Sequence, residues 1–237
     1  MRMRKIILLS ATVAVALAAL PGCKKSAETP ATTVAAPLKE LPPAEVELHD
    51  VADIKPGYNI AVSYDPAVGQ FAALSDQVQA FVTKQSDDFK SKVKADTPIK
   101  DATRKPTLSL YLSSLANTTT FATVAANGSA YYGIGEATPV MQRWVFLPAT
   151  KQLVTMAQLF PGNKLAALLD APGAPIGMEP LADDAGKIGS IRFVYAHTAA
   201  DNPDDAVTRV TLDADQLKDA IDPKYRELLG KSPDAGK

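Results

Sequence analysis

Apolar and polar positions along the chain change period several times, and each change marks an element. Tyr58-Asn-Ile60-Ala-Val62-Ser-Tyr64 alternates with period two, the mark of a half-buried strand, and Asp65-Pro66 ends it. The spacing then becomes three and four. Phe71, Leu74, Val78, Phe81, Val82, Phe89 and Val93 line one side of a helix predicted over about residues 70–95. Lys84, Asp87, Asp88, Lys90, Lys92 and Lys94 fall mostly between them and form its solvated face.

Period two returns over Thr107 to Leu115 through Leu108, Leu110 and Leu112. Asn117-Thr118 reads as a turn, Thr119 to Ala126 as the returning strand, and Asn127-Gly128 as a further turn. Ser129 to Tyr132 and Val140 to Leu147 continue the meander around a loop at Gly133 to Pro139. After a turn at Pro148 to Lys151, Leu153 to Phe160 is a short strand running into a helical turn. Asn163 to Asp170 is a short helix with Leu165, Leu168 and Leu169 inward, and Ala171 to Gly186 is a loop rich in Pro and Gly.

Ser190 to Ala196 and Ala206 to Leu212 are strands around a polar turn at Ala199 to Asp205. Asp213 with Gln216 makes a capping box, which turns Leu217, Ala220 and Ile221 inward. Asp222-Pro223 starts a last short helix carrying Tyr225, Leu228 and Leu229, and Gly230 stops it. The expected class is α+β: an antiparallel meander sheet with one long amphipathic helix and short C-terminal helices packed on it. The body is read as 51–231, with room for two subdomains meeting near 150–160, and 232–237 as a disordered tail.

Ahead of the body, the pattern is different. Arg2, Arg4 and Lys5 precede an uncharged run from Ile6 to Leu20, too short to span a bilayer comfortably and right for a secretory signal. Leu20-Pro21-Gly22-Cys23 resembles a bacterial lipobox, with Leu at −3, a small residue at −1 and Cys at +1. That resemblance implies lipidation of Cys23 and a signal peptide of residues 1–22. Lys24 after it implies sorting to the outer membrane, facing the periplasm. Residues 23–50 carry Pro30, Pro37, Pro42 and Pro43 among Ala, Thr and Glu and read as a flexible tether, with His49 a solvated residue at its end.

Within the body, five segments in order resemble the RsiV-like domain family of bacterial envelope proteins. They are the first strand into Tyr64-Asp65-Pro66, the long helix, Ser109-Leu-Tyr-Leu-Ser113, Trp144-Val-Phe146 with Leu153 to Phe160, and Ile191 to Tyr195 through Val210-Thr-Leu212 to Leu217. The family includes a membrane anti-sigma factor that binds lysozyme and domains attached to some peptidoglycan deacetylases. The resemblance implies an envelope function and suggests a lysozyme-like protein as partner. The central loop Gly133-Ile-Gly135-Glu-Ala-Thr138 lacks the family's frequent Gly-Gly-Ala-His, so no residue inherits a lysozyme-binding role.

Composition narrows the chemistry. The chain has 237 residues, 25 Lys+Arg, 26 Asp+Glu, two His and one Cys. Residues 1–22 hold three of the positive charges and no negative ones, so the mature chain carries 22 minus 26, or −4. That balance gives no footprint for nucleic acid, and one Cys excludes an internal disulfide. There is no Gly-x-Ser-x-Gly elbow, and Ser129 has no adjacent base. Gly133-Ile-Gly135 fails as a dinucleotide loop because Thr138 stands at the third glycine. Asp201, Asp204 and Asp205 lack the Gly and terminal Glu of a calcium loop, and His197 stands alone. The reading therefore assigns no catalytic residue, metal or cofactor.

Tyr131, Tyr132, Gly133, Gly135, Glu136 and Trp144 in and around the central loop are the candidate partner-binding residues, since rigid aromatics anchor interfaces. Against this stands the simpler reading of Tyr132 and Trp144 as sheet packing. The expected function is a membrane-anchored, non-catalytic binding module for an envelope protein or cell-wall component such as peptidoglycan. A peptidoglycan-modifying enzyme or its accessory domain is the alternative, and a structural spacer is a third.

Overall fold

A computed structural model describes residues 43–93, 104–169, 173–196 and 207–232. Strands β1 (Val51–Lys55) and β2 (Tyr58–Tyr64) form a hairpin. Asp65 then accepts the N–H of Ala67 and starts a 3-10 turn, Pro66–Gln70, that leads into helix α1 (Ala72–Lys92). The chain returns as β3 (Thr107–Asn117), which lies parallel to β2. A parallel pair needs a long crossover, and the turn and helix supply it. The expected α+β class holds, and the expected meander runs through β3, β4 (Ala122–Tyr131), β5 (Thr138–Leu147) and the two-residue β6 (Gln152–Leu153) as antiparallel neighbours; the parallel β2–β3 pair is the one departure in this sheet. The resulting six-stranded sheet has the order β1-β2-β3-β4-β5-β6.

A second sheet of three strands is built from β7 (Gly177–Ala182), β8 (Ile188–Ala196) and β9 (Val207–Asp213). Its strand β7 lies in the segment expected to be loop, and Pro180 sits within it, opposite Ile191. An edge strand is where a residue without an N–H is tolerated, and β7 is an edge. The short helices α2 (Met156–Leu159), α3 (Lys164–Leu169) and α4 (Ala214–Leu217), with a 3-10 helix at Pro223–Leu228, gather around this sheet. Capping boxes start two of them, Thr155 with Gln158 and Asp213 with Gln216. Leu168 does not turn inward; it is exposed while Leu165 and Leu169 are buried.

Two cores occupy opposite faces of the large sheet. On one face Leu74, Val78 and Phe89 of α1 meet Ile60, Leu108 and Leu110. On the other, Phe121, Val145 and Leu147 meet Ile191, Phe193 and Leu212 of the small sheet. The run Arg143 to Leu147 is buried at every position because both of its faces are covered. All described residues fall within one compact unit.

Asn127-Gly128 is no turn; both residues lie inside β4, and Gly128 pairs with Leu110. A Cβ at Gly128 would stand 2.0 Å from the Ser109 carbonyl oxygen, so strands β3 and β4 can approach there only at glycine. The expected tether also ends earlier than residue 50. Glu45 accepts the N–H of Ala72 at 2.8 Å, Val46 N–H donates to Gly69 O at 3.0 Å, and Asp50 accepts from Tyr64 N–H. Phe71 offers α1 no side-chain cap, and Glu45 supplies an acceptor in its place, where a carboxylate also suits the helix dipole. At the other end Lys231 and Ser232, expected at the edge of the tail, are bonded to Asp183 and Asp215.

Gly128→Ala is expected to cost about 3 kcal/mol through overpacking, read as a lower urea midpoint. A second expectation concerns Asp183, whose carboxylate accepts N–H bonds from Ala185, Lys187 and Lys231 at 2.9 Å. Burial alone would raise its pKa, but the N–H groups of Lys231, Lys187 and Ala185 outweigh it and hold the carboxyl below the usual aspartate value. A depressed folded-state pKa means that this stabilisation is present above the unfolded-state value and is lost as pH falls through the folded one. Asp183→Asn should therefore destabilise the protein by about 1–2 kcal/mol at neutral pH. The difference from the wild type should vanish in strongly acid solution, as thermal melts across pH would show.

Candidate functional site

Strand register decides which side chains share a face, because directly opposed residues point the same way and neighbours along a strand alternate. On the face away from α1, Ala61 stands opposite Ser109 and Ser109 opposite Ser129. One step along, Ser63, Tyr111, Asn127 and Met141 form a second row. A third row runs Ile54, Asn59, Thr107, Tyr131. The small sheet covers the part of this face around Ala116, Phe121, Val145 and Leu147, and beyond it Ala61, Ser109 and Tyr111 are exposed. Tyr111 is 50% exposed and Ile54 71%. Arg104 lies over the Tyr131 ring at 4.6 Å and marks one rim.

The other border is a buried charge cluster. Arg143 stands opposite Ala125, one step along β5 from Met141. Its Nε donates to Glu179 Oε1 of β7 at 2.7 Å, and its Nη1 donates to the carbonyls of Ala126 and Gln142 at 2.9 Å. The two side chains are 3% and 2% exposed. Arg192 and Arg209, each about one-third exposed, place Nε atoms 3.3 and 3.5 Å from Glu179 Oε2. Both carboxylate oxygens thus face guanidinium groups. Gly177 lets β7 lie against Arg143, since a Cβ there would stand 2.7 Å from Arg143 Cγ. What the cluster does is fix one sheet against the other.

The central-loop residues divide between the two faces. Tyr131 points to the open face. Tyr132 points to the helix side, where it packs on Phe89 at 5.5 Å with Lys92 over its ring at 4.8 Å. Trp144 is buried and edge-on to Phe81 at 5.3 Å. Tyr132 and Trp144 therefore belong to the core, and Tyr131 does not join them. Gly133 and Gly135 have φ of +93° and +73° in the turn between β4 and β5, and Glu136 is exposed there. Ser129 lies within β4 on the open face. His49 is exposed. Cys23, His197, Asp201, Asp204 and Asp205 lie outside the described residues.

Among the described residues no group of three His, Cys, Asp or Glu side chains is placed to hold a metal ion. None of their helices is long and apolar enough to cross a membrane. Beside the helix, Lys90 Nζ meets Asp53 Oδ2 at 2.9 Å; this bond, with smaller help from Tyr58, holds the Asp53 carboxyl below its usual value and raises Lys90. Tyr111, Asn127, Arg143 and Glu179 were not singled out by the sequence. The signal for the first was present in Ser109-Leu-Tyr111-Leu-Ser113, where the positions between the leucines are polar or amphipathic.

No family model matches the chain, and no curated protein matches it. Solved structures similar to it include two of the DUF3298 family, a domain of unknown function. One, from Pseudomonas aeruginosa PAO1, is 14% identical over 80% of this chain and 98% of that one, with a TM-score of 0.47. The other, from Bacteroides fragilis NCTC 9343, is 9% identical over 79% of this chain and 97% of that one, with a TM-score of 0.48.

Removing one partner of a buried ion pair strands the other. Glu179→Met is therefore expected to destabilise the protein by about 3–5 kcal/mol, and Arg143→Met likewise. Exchanging both Arg143 and Glu179 for Met should cost less than the two single changes added together. Urea unfolding of the four proteins in a double-mutant cycle checks this.

Proposed function

We propose that the protein is a lipid-anchored binding module of the bacterial outer membrane, facing the periplasm and holding an envelope component without turning it over. The observation that carries the binding part is the open sheet face. It is several strands wide, and Ala61, Ser109 and Tyr111 on it are exposed, with Tyr131 half-buried at its rim. Large rigid rings on an otherwise small-residue platform are the usual means of gripping a partner. The non-catalytic part is supported by the nearest buried carboxylate, Glu179, whose oxygens are taken up by Arg143, Arg192 and Arg209. The anchoring part rests on the basic and apolar N-terminal segment ending at Cys23. Two or more acyl chains there hold a protein stably on a membrane. The RsiV-like pattern of the sequence supports an envelope setting for the whole.

The full chain expressed in a bacterium is expected in the membrane fraction, with mass spectrometry showing an acylated Cys23 at the mature N-terminus. Cys23→Ser should release it to the soluble fraction. An unmodified Cys23 in soluble protein would remove the anchor. Retention of peptidoglycan sacculi or of a lysozyme-type protein by the purified full chain supports the binding module. Turnover of peptidoglycan fragments, lost on changing one carboxylate, would replace it with an enzyme.

A further inference from the structure

From the chemistry of the open face we infer the class of its ligand: an uncharged, hydroxyl-rich glycan chain, laid across strands β2, β3 and β4. This rests on the binding-module reading and narrows it. Charged residues make up 22% of the chain, yet none of the three rows that form the face contains Asp, Glu, Lys or Arg. The polar groups are neutral instead: with the Oδ1 of Asn127 buried, they are the amide of Asn59 and the hydroxyls of Thr107 and Ser109. Each can both donate and accept hydrogen bonds, as can each sugar hydroxyl, so the two surfaces match without a charged partner on either side.

Tyr111, exposed, and Tyr131, half-buried at the rim with Arg104 over its ring, supply the apolar part. Pyranose rings present a face of C–H groups, and the negative face of an aromatic ring attracts them. Tyr131 lies opposite Thr107, so the two tyrosines are one strand and four residues apart, or about 14 Å between Cα atoms at standard strand rise and spacing. That separation suits successive contacts along an extended chain better than a single small ligand. Between the rings the surface is low, because Ala61, Ser109 and Ser129 occupy the middle row. A neutral face also fits a protein ligand poorly when that ligand is strongly basic, since attraction of opposite charge would have nothing local to act on.

The test uses the full chain in detergent micelles and the tetramer of β-1,4-linked N-acetylglucosamine as probe, followed by calorimetry. The expected result is saturable binding whose affinity changes less than about twofold between 0.05 and 0.5 M salt, as for an uncharged ligand. Tyr111→Ala should weaken binding at least about tenfold, and Tyr111→Phe should stay within about twofold. Tyr111 is exposed, so thermal melts of these variants should match the parent. Absence of binding up to about 10 mM tetramer, an affinity below that of any specific site, overturns the inference. So do a tenfold loss with salt or a Tyr111→Ala variant that binds like the parent. If the tetramer fails while sacculi or a lysozyme-type protein are still retained, the glycan assignment falls and the binding module stands. If nothing is retained, both fall.

Discussion

The placement of the small sheet turns on one carboxylate. Glu179 is buried where β7 meets the large sheet, and a buried charge is tolerated only when opposite charge and donors surround it. Arg143 supplies both, and it is itself fixed by the carbonyls of Ala126 and Gln142. The pair therefore allows one position of β7 along β5, and Gly177 permits the close approach that position requires. Apolar contacts between the two sheets are not directional in this way; they reward burial without choosing a register.

That choice divides the far face of the large sheet into two territories. Toward Phe121, Val145 and Leu147 the face is covered, and the short helices complete a core there. Toward β1 and β2 it is bare. The helix side has no such division, because α1 and its flanking residues contact the apolar face from Tyr58 to Phe146. One sheet thus serves as the floor of two cores and also as a surface. The change from a continuous apolar run at Trp144-Val-Phe-Leu147 to strict alternation at Leu108, Leu110 and Leu112 marks where coverage changes.

Much of this was legible in the chain. The period of β2, of α1 and of β3 is stated by residues that alternate or recur cleanly, and the two capping boxes are local signals that survive folding unchanged. What failed were signals decided by distant residues. Asn127-Gly128 carries the local chemistry of a turn, but its glycine answers to the carbonyl of Ser109 across the sheet. Strand β7 hides among Gly and Pro because its apolar face is short and its pairing needs only one neighbour. The parallel pairing of β2 with β3 has no sequence mark of its own. Of the site, the aromatic loop was visible but its two faces were not. Tyr131 and Tyr132 are adjacent in sequence and point to opposite sides of the sheet, which only the register reveals. Glu179 and Arg143 are 36 positions apart, and nothing local joins them.

The clamp formed by Glu45, Val46 and Asp50 has a mechanical consequence. A pull arriving from the N-terminal side of the chain meets the start of α1 at Ala72, and the backbone at Gly69, before it reaches β1. Gly69 has no side chain because one would occupy the place of the Val46 carbonyl, so the grip is close and short. Load is thereby passed to a 21-residue helix seated on the core, and the outermost strand, the easiest to peel, is spared. Whatever draws on the chain from that side, the arrangement acts as strain relief ahead of the sheet.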